Sequence, residues 1–417
     1  MAISPIFIHV CLFILAVTMH QPDSVSAAVP GASQLGYGRW AYFCYFAAMA
    51  GFTPFLTLYY ESLGLSWAQI GLLAGITPVV TFVAAPLWGA LADATQQHKR
   101  LLLAAIGGAL LIVALFLQAS QLAHLIPLVV LYALLTAPIM PLIDNTVLAM
   151  LGDQSQRYGR VRWWGALGWG VVGTVGGLVV DWAGVRASFA SYFLGMAALW
   201  WIATRLPVAP ASIGSRFWHG ERSLFADPQW TVLLVTIFCS GVAMSITHTF
   251  LFLHVDALGG SRTLMGFSLT AATLSEVPVF FYADRLLGRW GARGLLILAL
   301  VAQVIRMVGY ALMPAPWLIL PISLLHGLTF SAMWTASVAY AGQLAAPKGL
   351  MATAQGLLSG VSMGLGGVVG GLLGGLIYEQ VGAVALFLIV GSVALAGLLF
   401  FLVAGRAAWV RAPVAEA

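Results

Sequence analysis

The chain has 417 residues, 61% of them hydrophobic and only 7% charged, with a formal net charge of +5 and a mean hydropathy of +0.98. Water-soluble domains carry about 25% charged residues, so this composition excludes an ordinary soluble enzyme and predicts an all-α, multi-pass integral membrane protein. The positive balance does not point to nucleic acid, because its distribution along the chain follows a membrane topology instead.

Residues 1–36 are an N-terminal extension open to three readings: a cleaved signal peptide, a short extra helix, or a start placed upstream of Met19. The apolar run "MAISPIFIHVCLFILAVTMH" has no basic residue before it, which argues against a signal peptide. Crossing the hydrocarbon core as a helix takes about 20 apolar residues. Six stretches meet this requirement in an N-terminal half, 37–206: residues 37–60, 66–92, 99–119, 124–151, 158–180 and 185–206. The polar link 207–227 is predicted to be a cytoplasmic linker. A C-terminal half, 228–405, supplies six more stretches at 228–254, 261–286, 293–313, 316–344, 348–378 and 382–405, followed by a tail at 406–417. Placing residue 39 on the cytoplasmic side leaves only Arg186 and Arg262 outside, with Arg306 inside a span and the other Lys and Arg residues inside the cell. That asymmetry predicts two cytoplasmic termini, and in a bacterium the membrane would be the inner one.

An internal repeat links the halves. Asp93 in "GALADATQQHKR" falls on Asp284 in "FYADRLLGRWGAR" at an offset of 191 residues, and the same offset carries Gly165 onto Gly356. Parallel repeats of this kind imply alternating access by rocking of the halves. Gly89, Leu91, Ala92, Asp93, Lys99 and Arg100 resemble the loop motif between the second and third helices of the major facilitator superfamily. Ala94, Gln96 and Gln97 stand where that family prefers a basic residue, a glycine and another basic residue. The resemblance implies that Asp93, Lys99 and Arg100, with Asp284, Arg285 and Arg289 in the second half, form gating loops.

The fifth stretch opens with "YGRVRWWGALGWG". A guanidinium near the bilayer centre costs about 2.5–3.5 kcal/mol on insertion scales, so Arg162 needs a partner, and Asp144 is the expected one. Trp169, seven residues on, lies two helical turns along the same face. An arginine, a carboxylate and an indole together suit a polar ring with a flat apolar face. The segment looks like the fifth helix of the oligosaccharide:proton symporters, which include the lactose permease. The resemblance implies that Arg162 and Trp169 contact solute and that Asp144 orients the arginine.

In the second half Glu276, Arg306 and His326 follow the same family's order, and the last two keep its spacing of twenty residues. Thr329 occupies the position where the symporters carry a proton-handling carboxylate, and the glycine-rich eleventh stretch has no lysine. "SEVPVFF", "LLHGLTFSAMW" and "ATAQGLLSG" are more similar still to relatives grouped with the phenylpropionate permease and the macrophage MHC receptor homologues. His248 and His254 are weaker site candidates. The glycines at 364–375 read as a helix-packing and sliding surface. Cys11, Cys44 and Cys239 lack metal or disulfide spacing and read as small buried hydrophobes.

These readings describe a secondary transporter of a small organic solute of the sugar, nucleoside or aromatic-acid class, with protons as an optional coupling ion. A facilitative uniporter and a non-transporting receptor on the same fold are the alternatives. No enzyme, cofactor, metal or nucleic-acid partner is expected, and the protein is expected to be a monomer in the bilayer.

Overall fold

The computed structural model describes residues 32–208 and 224–411, a few of them by backbone only. Residues 1–31 of the expected extension, 209–223 of the linker and 412–417 of the tail lie outside the described residues, and with them Cys11, Met19, Arg216 and Arg222.

The first six spans are α1 (Ala32–Ser62), α2 (Trp67–Thr95), α3 (His98–Phe116), α4 (Leu122–Leu151), α5 (Tyr158–Ala183) and α6 (Ser188–Arg205). Next come α7 (Pro228–Ala257), α8 (Arg262–Phe281), α9 (Ala283–Leu312) and α10, which joins Pro316–Ser323 to Gly327–Lys348 across a 42° bend. The final run, Thr353–Ala404, is 52 residues long. At 1.5 Å per residue it would reach about 78 Å, far beyond a hydrocarbon core of about 30 Å. Gly382, at φ 80°, breaks it into α11 (353–381) and α12 (383–404). The described residues thus contain the twelve spans expected from hydropathy. Trp67, Leu122 and Tyr158 open α2, α4 and α5, and Arg262, Pro316 and Thr353 open their counterparts. All three separations fall within four residues of the repeat offset.

Local chemistry sets several helix starts. Asp227 accepts a hydrogen bond from the Gln229 backbone N–H at 2.9 Å with Pro228 at the first helical position. Ser261 does the same for Leu264 at 3.1 Å. Each cap satisfies a donor that the first helical turn leaves without a partner.

The chain forms two compact units. One contains the described residues through Phe55 together with 80–208; the other contains Leu56–Val79 and the described residues from 224 onward. In the first unit, an aromatic core of Phe52, Phe116, Tyr132, Phe189 and Tyr192 locks α1 against α3, α4 and α6, with ring centroids 4.9–6.2 Å apart. Gly168 and Gly176 let α5 approach the backbone of α1 at Phe43 and Gly51.

In the second unit, Gly366, Gly370 and Gly374 of α11 face Gly241, Ser245 and Phe250 of α7. Gly367, Gly371 and Gly375 face Pro78, Gly75 with Gly71, and Trp67 at the start of α2. One glycine-rich run therefore carries two stripes at four-residue spacing, each receiving a neighbouring helix. An added Cβ at Gly375 would lie 2.6 Å from the Trp67 carbonyl oxygen. Lipid is as apolar as a side chain, so close backbone approach of this kind is a main source of helix association in membranes.

Candidate functional site

Among the described residues, each unit brings a cluster of charged and aromatic side chains together within its spans. In the first unit, α1, α4 and α5 bring together Tyr42, Phe46, Asp144, Tyr158, Arg162 and Trp169. The expected ion pair between Asp144 and Arg162 is absent, and the expectation is corrected accordingly. Tyr42 donates its hydroxyl to Asp144 Oδ1 at 2.5 Å, and Tyr158 donates to the same oxygen at 2.9 Å. Hydrogen bonds to a charged acceptor are shorter and stronger than neutral ones, so two phenols keep the carboxylate in place without the guanidinium. Arg162 instead lies over ring faces, 4.3 Å from the centroid of Phe46 and 5.2 Å from that of Tyr42. Ring quadrupoles attract a cation in this position. Phe46 in turn meets Trp169 edge-on at 6.4 Å. Arg162 and Trp169 therefore share one face, as the seven-residue spacing required, with Phe46 between them.

The sequence reading missed Tyr42, Phe46 and Tyr158. Tyr158 precedes Arg162 by four residues, which places it on the same helix face and was a usable signal. Tyr42 lies 102 residues from Asp144, and no local pattern announces that contact.

In the second unit, Arg306 of α9 is buried and makes three hydrogen bonds. Its Nε donates to the Tyr310 hydroxyl at 3.1 Å, and Nη1 donates both to His326 Nδ1 and to Thr329 Oγ1 at 2.9 Å. Arginine has no acceptor, so His326 Nδ1 must accept. The imidazole is thereby fixed as the neutral tautomer with its proton on Nε2. That nitrogen faces Glu276 Oε1 at 3.4 Å, and the ring stacks on Phe330 with centroids 5.4 Å apart. Glu276, Arg306 and His326 thus meet, as their order and spacing suggested. Thr329 is a partner of the arginine rather than an empty place in a pattern.

Thr329 sits in a π-helical turn, Gly327–Ala332, that follows His326 directly, and such turns occur often at functional sites. Within it, the Gly327 N–H is bonded by Ser275 Oγ at 2.9 Å, tying α10 to α8 beside Glu276. His254 bonds the Tyr310 carbonyl at 3.0 Å, a structural contact, while His248 lies within electrostatic reach of both His326 and Arg306.

The motif between α2 and α3 in the first unit is a tight turn. Gln96 is the one residue other than glycine with positive φ among the described residues, at 54°. Its side chain donates to the Asp93 carbonyl at 2.7 Å. Gln96 therefore adopts the left-handed conformation at the position where the superfamily prefers glycine. His98 Nε2 lies 3.9 Å from Asp93 Oδ1, and Arg100 donates to Gln97 Oε1 at 3.3 Å. Lys99 is half-buried in the first turn of α3. In the second unit the corresponding residues form a helical turn rather than a loop. Asp284, Arg285 and Arg289 are exposed on the start of α9, and Gly291, at φ 64°, supplies the break. Cys44 and Cys239 are free thiols and half-buried, less enclosed than expected.

Twelve spans among the described residues, with arginine, carboxylate and aromatic clusters inside them, fit the transporter class. Residues 39–389 match the MFS_1-like family, and the chain belongs to that family of the major facilitator superfamily. It is 33% identical over 350 residues to the maltose permease of Geobacillus stearothermophilus, covering 83% of this chain and 89% of that one. It is 26% identical to a probable 3-phenylpropionic acid transporter of Escherichia coli (strain K12), covering 82% of this chain and 92% of the relative. Similarity to the major facilitator superfamily domain-containing protein 6-like protein A of Xenopus laevis is 24% and reaches 38% of that protein. A crystal structure of the nucleoside transporter NupG shares the fold at TM-score 0.78 and 17% identity, covering 89% of this chain and 99% of that one. The protein is thus a multi-pass transporter of a small solute and not an enzyme.

Proposed function

We infer that the protein is a secondary active transporter that carries a sugar, nucleoside or aromatic acid by alternating access between two six-helix halves, with both termini in the cytoplasm. The observation that carries this reading is the state of Arg162. Its guanidinium is half-buried within a span and lies against the faces of Phe46 and Tyr42, while the nearby carboxylate is held by other groups. A buried arginine kept only for structure would be expected to close an ion pair. This one retains its hydrogen-bonding capacity for a solute, and Trp169 supplies the apolar face. Glu276, Arg306 and His326 are the solute-facing residues of the second half.

Asp144 or Glu276 is the proton acceptor if transport is proton-coupled. Thr329, where the symporters carry an acid, favours facilitative uniport as the second reading. The maltose permease and the probable 3-phenylpropionic acid transporter support the sugar and aromatic-acid classes by similarity.

The test is uptake of labelled maltose, uridine and 3-phenylpropionate by cells expressing the protein or its Arg162→Ala variant, with and without a protonophore. Saturable uptake that is lost in the variant is the expected result, and its collapse under protonophore would assign proton coupling. A folded protein that moves none of the three would overturn the assignment to these solute classes.

A further inference from the structure

The geometry points to a carboxylate-binding site at Arg306, so that the solute is an organic monoanion. This inference rests on the transport reading above and narrows its solute class.

A guanidinium has five N–H donors. In this cluster Nε uses one on Tyr310, and Nη1 uses two, on His326 and Thr329. The two donors on Nη2 have no hydrogen bond among the described residues, and Nη2 is not one of the fully enclosed polar atoms of the unit. All three acceptors already engaged are neutral, and among the described residues no carboxylate oxygen lies within 4 Å of the guanidinium. Glu276 is kept off the arginine by the width of the His326 imidazole.

The result is a positive charge at 4% exposure, oriented by three hydrogen bonds and presenting one remaining amino group. A buried charge without an ionic partner is costly, and the arrangement is relieved by an anion that arrives with the solute. A carboxylate is the fitting group. It accepts the two N–H bonds of one amino group and brings a single charge, whereas a dianionic phosphate would leave uncompensated charge beside Glu276. The three neutral contacts also explain why the guanidinium can wait in place without collapsing onto an internal acid.

The experiment compares 3-phenylpropionate with its neutral primary amide, alongside maltose and uridine, by calorimetric binding to the purified full-length protein. Counterflow exchange in proteoliposomes is measured for the same four compounds. The wild type is expected to bind the acid at least tenfold more tightly than the amide. Thr329→Asp places an internal carboxylate where Oγ1 now meets Nη1. It is expected to abolish the preference for the acid while the protein stays folded, since it neutralises rather than unpairs the arginine. Arg306→Gln should abolish the same preference.

Equal binding of acid and amide, absence of acid binding, or a preference that survives Thr329→Asp would each overturn the carboxylate site. Exchange of maltose or uridine without acid binding would overturn this inference and leave the transport reading intact. Absence of exchange for all four compounds would count against both.

Discussion

Arg162 and Arg306 each lie within a span, and their surroundings differ. Arg162 rests on aromatic faces and is half-buried, with no ion pair to its neighbouring carboxylate. Arg306 is enclosed and hydrogen-bonded at three donors by a tyrosine, a histidine and a threonine. Contacts to a ring face are broad and tolerate rotation, while hydrogen bonds to a planar fork fix direction. The first cluster is therefore the adaptable one and the second the oriented one. The acids follow the same division: Asp144 is held by two phenols, and Glu276 faces an imidazole nitrogen.

Substituting each arginine by lysine probes this difference most strongly. An ammonium cannot reproduce the fork, so Arg306→Lys is expected to lower solute affinity by roughly a hundredfold, about 2.7 kcal/mol. Arg162→Lys, which keeps a cation over the rings, should lose roughly tenfold, about 1.4 kcal/mol. Equal losses in a direct binding titration would erase the distinction between the clusters.

Thr329→Val is the next test. It removes a buried acceptor from a charged donor, and the expected cost is about 1–3 kcal/mol of stability, read from thermal unfolding in detergent. Tyr158→Phe leaves Asp144 with its bond from Tyr42 and sits in a half-buried setting, so a smaller loss of about 1 kcal/mol is expected. If Tyr158→Phe proves the more costly of the two, the first cluster is the more rigid one.

The turns at Gln96 and Gly291 offer the mildest comparison. The second unit uses Gly291 for its positive φ, while the first uses Gln96. A side chain in the left-handed region costs about 1–2 kcal/mol, partly offset here by the bond from Gln96 to the Asp93 carbonyl. Gln96→Gly should therefore stabilise the protein by about 0.5–1 kcal/mol, and an unfolding temperature that falls would contradict the strain.

Much of the candidate site was legible because it is encoded by local spacing. Seven residues set Arg162 and Trp169 on one face. Twenty separate Arg306 from His326, enough to cross one short turn and return on the next antiparallel helix. Tyr158 and Tyr310 were legible in principle, since each lies four residues from its arginine. Tyr42 and Phe46 were not, because they reach the cluster from another helix about a hundred residues away, and that meeting depends on how α1 packs against α4 and α5.

What the sequence determined by itself is the bilayer-spanning, twelve-helix, repeated architecture, because transfer of apolar side chains out of water follows composition and length. It also determined which residues carry charge into the membrane. The tertiary structure alone decided who partners whom. The choice between an Asp144–Arg162 ion pair and two phenol hydrogen bonds turns on the separations between side chains of α1, α4 and α5. Those separations are set by helix packing, by the glycine contacts that let backbones close, and by the π turn that aims Thr329 at Arg306.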